Sequence, residues 1–418
     1  MYSAKICDRR VQDSAKKLEI RVKRLPRLES IGISSELEKL RKDKHGKDLP
    51  DGQLARELKR DEREFIQSEQ LLCKCDFRYF FERYGAVELD SGVSNRSGIG
   101  APELLPSQKR FIMLWGKREE DCYREVKENG FTEGIMCYIH KVRQVAATAT
   151  VCAAAVHRMV LWPGTRSLSA SLDDIRRNEL FTRHSLMLDN LPFWLRPTMS
   201  KDKSGEALAL AAPNNSRASY QSENQETGIG VGTQNDVSHL TEVALWKHPE
   251  SIRFSFVPSM PKSITTLHVQ ESTADGKGNY WHEVTEAARK RRRGYEAWVY
   301  AFIPWYLNTT KWRAVPPPTW IPEEHTTKHA ELIYRTSPEF NNGVAVRPTK
   351  DQLYWWETAR TQHAMNGELA TFLTNYPATP EQSFQNPSQG ALPAELIEIL
   401  ELSVRGGIPY NVGVAYSL

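Results

Sequence analysis

The most informative stretch for chemistry is Ile135–Thr150, which reads IMCYIHKVRQVAATAT. An apolar run enters a short basic segment and then an alanine-rich, helix-forming one. Binding a phosphate chain needs a buried strand to fix one end of a loop, and a helix N-terminus whose free N–H groups face the anion. It also needs a cation for the terminal phosphates and a hydroxyl for Mg²⁺. Lys141, Arg143 and Thr148 are residues of those types. The glycines of the usual phosphate loop are absent, so this segment alone also reads as a basic loop entering a helix.

Three further segments have chemistry of their own. In Asp236–Trp246 an apolar strand ends in Thr241 and Glu242, a hydroxyl followed by a carboxylate. An ATPase places there a ligand to the Mg²⁺ shell and the base that aligns water on the γ-phosphorus. In Leu267–Asn279 a strand runs into Ser272, Thr273 and two glycines, where polar groups can sense that phosphate. Upstream, Gln108 carries both a donor and an acceptor that suit an adenine edge. Each signal is ordinary in isolation. Their order is informative: Gln108 precedes Lys141 by 33 residues, Glu242 follows Thr148 by 94, and Ser272 comes 30 later.

Positioning these groups requires a layered framework. Apolar runs predict buried strands over Gly134–Ile139, Arg166–Ala170, Ser238–Thr241, Thr265–Gln270 and Ala297–Ile303, with helix-like segments such as Val151–Trp162, Asp173–Asp189 and Trp281–Arg293 between them. The alternation predicts an α/β fold with a mostly parallel central sheet flanked by helices. Asp76–Tyr84 carries aromatics at helical spacing. Residues 1–70 are expected as a charged helical extension, Trp312–Pro322 as a stiff connection, Asp351–Phe372 as one amphipathic helix and Ala394–Val404 as another. Pro409–Val414 reads as a strand.

Composition narrows the function classes. The 418 residues are 40% hydrophobic and 26% charged, with a net charge of +4. Residues 1–70 hold 18 Lys/Arg against 14 Asp/Glu, so that excess lies in the extension and the remainder is balanced. Contact with DNA must then come from local patches such as Arg289, Lys290, Arg291, Arg292 and Arg293, not from a basic body. No apolar stretch is long enough to span a membrane, and the first residues lack the apolar region of a secretory signal. The six cysteines are unpatterned, as expected in a reducing cytoplasm.

Taken together, the segments resemble the large subunit of a tailed-bacteriophage terminase, the ATPase that drives DNA into a procapsid. Pro106-Ser107-Gln108 resembles the family's adenine motif, and Lys141-x-Arg143-Gln144-Val145 resembles its variant Walker A opening. Leu240-Thr241-Glu242-Val243-Ala244-x-Trp246 resembles Walker B, and Glu271–Gly276 with Gly278-Asn279 resembles the coupling motif. Phe302–Tyr306 and Tyr376–Glu381 resemble two further signatures, so the likeness spans roughly residues 76–418.

The resemblance implies a P-loop NTPase of the ASCE type, with ATP and Mg²⁺ as ligands. Pro106, Gln108, Lys141 and the run Gln144, Val145, Ala146, Ala147, Thr148 and Ala149 would bind nucleotide, with Gln108 on adenine. Arg143 would stabilise charge near the γ-phosphate, Thr148 would bind Mg²⁺ and Thr241 would reach it through water. Glu242 would be the catalytic carboxylate, and Ser272 and Thr273 would couple hydrolysis to movement. Implied partners are double-stranded DNA, the portal protein, the small terminase subunit and copies of the chain in a ring, in the cytoplasm of a bacterial host.

The pattern departs from the family in the phosphate loop. Ala146 replaces a glycine, which a Cβ tolerates only if φ stays negative, and Ala147 occupies the usual lysine position, so the charge rests on Lys141. Thr241 stands where many P-loop ATPases have Asp. The expected organisation is an extension over 1–70, an ATPase core over 71–310, a connector over 311–408 and, over 409–418, the start of an RNase H-like nuclease whose carboxylates do not follow, so no nuclease activity is expected. A helicase-like ATPase and a catalytically impaired assembly or DNA-binding module are the competing readings.

Overall fold

The computed structural model describes residues 60–89, 98–192, 194–204, 206–223, 229–230 and 233–385. The first part of the charged extension, the helix expected over Ala394–Val404, the strand expected over Pro409–Val414 and Cys7 lie outside the described residues. The chain opens with helices α1 (Arg60–Cys75) and α2 (Phe77–Tyr84), a short β1/β2 ribbon (Val87–Leu89, Gly98–Gly100) and α3 (Pro106–Asn129). An alternating series follows: β3 (Ile135–Lys141), α4 (Ala147–Leu161), β4 (Arg166–Ser171), α5 (Asp174–Asn190), β5 (Met199–Ser204), β6 (Ala207–Leu210), β7 (Arg217–Ser222), β8 (Val237–Thr241), β9 (Leu267–Ser272), α6 (Tyr280–Arg289) and β10 (Trp298–Ile303). Helices α7 (Glu324–Phe340), α8 (Lys350–Met365), α9 (Leu369–Asn375) and α10 (Pro380–Ser383) close the described chain.

The eight strands β3–β10 form one sheet in the order β10-β3-β9-β8-β4-β7-β6-β5. The pairs from β10 through β7 are parallel, while β6 and β5 add an antiparallel margin. Both faces of the parallel part are covered, which is why its strands read as apolar runs. Along β3 the side chains alternate between two cores. Ile135, Cys137 and Ile139 join Phe111 of α3, Val151 of α4 and Trp356 of α8 on one face. Met136 and Tyr138 join Trp281 and Val284 of α6 on the other. This is the mostly parallel, helix-flanked α/β architecture expected from the sequence.

Two local differences have simple causes. The helix expected over Asp351–Phe372 is two helices, because Gly367 adopts φ 72° just past the end of α8, a left-handed stop that favours glycine. Strands β5–β7 were not expected. Arg217–Ser222 is polar in composition and buries alternate residues, Ala218, Tyr220 and Ser222, so it lacks the continuous apolar run of the central strands. Cys73, Cys75, Cys122, Cys137 and Cys152 are buried free thiols. Among the described residues, no helix is long and apolar enough to cross a membrane.

Candidate nucleotide site

The candidate site forms where β3, β8 and β9 end side by side. Parallel α/β sheets bind ligands beyond these carboxyl ends, where helix N-termini converge. Between β3 and α4 the chain makes a tight loop anchored from several directions. The Val142 N–H donates to Ile303 O at 3.1 Å, and Val145 is buried. Lys311 Nζ donates to Gln144 O at 3.2 Å.

The loop closes through left-handed residues, Gln144 at φ 60° and Ala146 at φ 56°. The condition under which a Cβ at Ala146 would be free of strain, a negative φ, is therefore not met. The loop needs the left-handed geometry that glycine supplies elsewhere, and the alanine adopts it with strain. Ala146 is the N-cap of α4 and makes no side-chain capping bond. The helix thus offers an uncapped N-terminus, the standard geometry for an anion.

That N-terminus faces a cleft of about 670 Å³, lined by Gln108, Lys141 and residues 144–149, with Arg183 of α5 and Lys311 also on its wall. Behind the loop lies a chain of charges. Lys141 Nζ is 3.2 Å from Glu242 Oε1 and 3.4 Å from Glu271 Oε2. Glu271 Oε1 lies 3.0 Å from His239 Nε2. Burial alone would lower the pKa of Lys141, but Glu271 and Glu242 outweigh it and hold the ammonium above its ordinary range. Burial would likewise raise the pKa of Glu271, yet Lys141 and His239 hold that carboxyl well below the usual range.

Glu242 adopts φ 58° and ψ 35°, and its N–H donates to Glu271 O at 2.7 Å. A non-glycine residue in this region costs about 1–2 kcal/mol. Such outliers gather where a side chain must be aimed. The Ala244 N–H donates to Ser272 Oγ at 3.1 Å, so the end of β9 holds the turn that carries Glu242. Thr148 lines the cleft, and its side chain helps to lower the pKa of Glu271. Thr241 is buried, and Thr273 is half-buried just past β9.

The sequence thus anticipates a cluster that the fold brings together: Lys141, residues 144–149, Glu242 and Ser272. Three expectations change. Gln108 is only 3% exposed; its Oε1 accepts from the Leu105 N–H at 2.8 Å and its Nε2 donates to Thr150 Oγ1 at 2.7 Å. Its amide thus ties α3 to α4, while the residue also lines the cleft. Pro106 is the exposed first residue of α3 and does not line the cleft. Arg143 is exposed and also stands outside the lining, so the charge-stabilising role expected of it finds no support in this arrangement.

The basic run also divides. Arg289 is 15% exposed and lies within 3.3 Å of carboxylates on Glu286, Glu339 and Glu381, which fastens α6 to α7 and α10. Lys290 pairs with Glu286 at 2.5 Å. Arg291, Arg292 and Arg293 remain exposed beyond the helix. Sequence reasoning gave Glu271 no role of its own, because it stands just past the strand expected over Thr265–Gln270 and enters only as the first residue of the segment resembling the coupling motif. It also missed Arg183 and Lys311, which carry no motif.

The donors fit Mg²⁺ and a phosphate chain. Hydroxyl and carboxylate oxygens suit a hard cation. Among the described residues, no group of three or more His, Cys, Asp or Glu could hold a metal by itself. Mg²⁺ ordinarily takes one or two protein oxygens and relies on phosphates and water for the rest.

No family model matches the sequence, and no curated protein matches it. Among solved structures, the chain is similar to the HK97 bacteriophage large terminase, with 13% identity, a TM-score of 0.45 and coverage of 71% of this chain and 53% of that one. The chain thus spans about half the length of that protein. It is also similar to the large terminase ATPase domain of Thermus phage P74-26, with 14% identity, a TM-score of 0.35 and coverage of 66% and 99%.

Proposed function

We propose that the chain is a Mg²⁺-dependent ATPase that drives double-stranded DNA into a viral procapsid, with residues 71–310 as the ATPase core and 311–408 as its connector. The observation that carries the ATPase reading is the Lys141–Glu242 pair, set at the ends of β3 and β8 on either side of β9, with Lys141 lining a cleft of about 670 Å³ beside the uncapped N-terminus of α4. ATP would lie along residues 144–149 with its phosphates on the α4 N-terminus. Arg183 and Lys311 place further positive charge on the wall.

Mg²⁺, when bound, neutralises charge across the terminal phosphates; Thr148 would hold it directly and Thr241 through a water. Glu242 orients the attacking water in line with the γ-phosphorus. Lys141 offsets the charge that develops on the phosphoryl oxygens. It must first leave the carboxylates that now hold it. The Ser272–Ala244 bond ties the coupling strand to the turn carrying Glu242, so a shift at one reaches the other. With Thr273 beside it, Ser272 would link hydrolysis to movement. Portal, small subunit and ring neighbours belong to the same proposal, as does backbone contact with DNA through Arg291–Arg293.

The test is phosphate release with and without double-stranded DNA. The wild-type chain should hydrolyse ATP and accelerate with DNA, and Glu242→Gln should lose that rate while still binding nucleotide. Equal background rates in the two proteins would sink the proposal. A second reading, an impaired assembly module, is favoured by the strained Ala146 and the doubly paired Lys141; it expects tight nucleotide binding without turnover.

A further inference from the structure

Strand pairing sets Glu271 directly beside Thr241. The two are register partners in the parallel β8/β9 ladder, so their side chains emerge on the same face about 4.8 Å apart. That face is the α4 face. Val237 of β8 and Val269 of β9 lie in the same core as Val151 of α4, and Thr241 and Glu271 follow them at even spacing. Ionised at neutral pH and fully buried, Glu271 is an expensive group to place inside a protein.

Its two oxygens have different surroundings. Oε1 lies 3.0 Å from His239 Nε2, which fixes the plane of the carboxylate. Oε2 is buried, has no well-aligned hydrogen-bond donor among the described residues, and faces Lys141 Nζ at 3.4 Å. The Thr148 side chain, from the first turn of α4, meets the same carboxylate.

We propose that Glu271 supplies, from the neighbouring strand, the metal-facing carboxylate that P-loop ATPases ordinarily carry at the position held here by Thr241. The inference rests on the ATPase reading and adds a residue to it. P-loop ATPases hold Mg²⁺ between a phosphate-loop hydroxyl and an acidic residue on an adjacent strand. Here the hydroxyl residue is Thr148, and the carboxylate against it is Glu271. In the nucleotide-free protein the Lys141 ammonium takes the place of the cation, balancing Glu271 and Glu242 together.

Phosphates drawing Lys141 toward themselves would leave Glu271 buried and uncompensated, which is strongly unfavourable. A divalent cation entering with the nucleotide restores the balance. His239 is then a positioning residue, holding one oxygen so that the other faces the metal, as outer partners of metal ligands commonly do.

The experiment measures affinity for a fluorescent ATP analogue in Mg²⁺ and in EDTA. Wild type should bind more tightly in Mg²⁺. Glu271→Gln should lose that gain by about tenfold or more, the usual consequence of removing a group that supports a metal, and should bind as well as wild type in EDTA. Thr241→Asp added to Glu271→Gln should restore the Mg²⁺ dependence, a recovery that a merely structural role would not give. If Glu271→Gln does not fold, Glu271→Asp moves the same charge back by one methylene. It should then weaken the Mn²⁺–nucleotide complex seen by electron paramagnetic resonance. Full Mg²⁺ dependence in a folded Glu271→Gln variant, or unchanged Mn²⁺ binding in Glu271→Asp, overturns this inference alone. Absence of analogue binding by the wild type in either condition overturns the ATPase reading as well.

Discussion

Replacing Ala146 with glycine should stabilise the protein, although glycine usually destabilises. Ala146 sits at φ 56° and ψ 24°, where the Cβ of an L-residue crowds the following carbonyl at a cost of about 1–2 kcal/mol. Its side chain is exposed, so removing the methyl forfeits almost no burial. The opposing effect is the greater freedom of a glycine in the unfolded chain, about 0.4–1 kcal/mol. The difference leaves a net gain of about 0.8 kcal/mol for Ala146→Gly. Three positions along, Ala149 lies inside α4, and there the same change should cost about 1 kcal/mol. Urea unfolding followed by circular dichroism separates the two, because the variants should move the midpoint in opposite directions at unchanged slope. The glycine at 146 also clears a methyl from the phosphate path, so nucleotide affinity should hold or rise. If Ala146→Gly shifts the midpoint downward as far as Ala149→Gly does, the strained-loop reasoning is refuted.

Two further outcomes follow from the buried charges. Lys141→Met leaves the buried Glu271 with His239 but without the cation that balances its charge, which should cost about 3 kcal/mol, and adding Glu271→Gln should recover at least half of it; strictly additive losses in urea unfolding would show that the pair is not coupled. Acid should also unfold the chain readily. Burial lowers His140, His157, His184, His268 and His329 to about 3. The unfolded chain therefore binds more protons below its histidine pKa of about 6.5, and the stability present above that value is lost as pH falls toward 3. Between pH 7 and pH 5 each histidine should account for about 2 kcal/mol. Together they rival the whole stability of an ordinary domain. Calorimetry in buffers of different ionisation enthalpy should find an uptake approaching one proton per buried histidine on unfolding near pH 5; uptake below two would contradict the assignment.

The parts of the fold legible in the sequence were those buried on both sides. Strands β3, β4, β8, β9 and β10 match the expected runs closely, with their ends displaced by no more than two residues, because a strand covered on both faces buries apolar residues on each, and these anchor the runs even where polar residues stand among them. The margin β5–β7 was not legible. Its residues face a core on alternate positions only, and Arg217, Gln221 and their neighbours mask the pattern. Helix α3 was missed for a related reason. Phe111, Trp115 and Cys122 are its buried apolar anchors, but a charged stretch from Lys117 to Asp121 separates them and dilutes the periodicity.

The site was legible where one segment carries both the group and its position, as with Lys141 at the end of β3 or Glu242 after β8. It was not legible where the function depends on which strands are neighbours. Reading along the chain, the absence of a carboxylate at Thr241 looks like a loss, and Glu271 looks like one polar residue in a strand 30 positions away. Once β8 and β9 pair in parallel with Thr241 beside Glu271, the two become adjacent points on one surface, with Lys141 and Thr148 both against Glu271. Gln108 shows the converse. Its spacing from the loop suits adenine, but a capping bond to Leu105 and a bond to Thr150 turn the same amide into a strut. A side chain's chemistry is written in the sequence; whether that chemistry faces a ligand or a neighbouring helix is decided by the sheet order and by the hydrogen bonds that the fold leaves unmade.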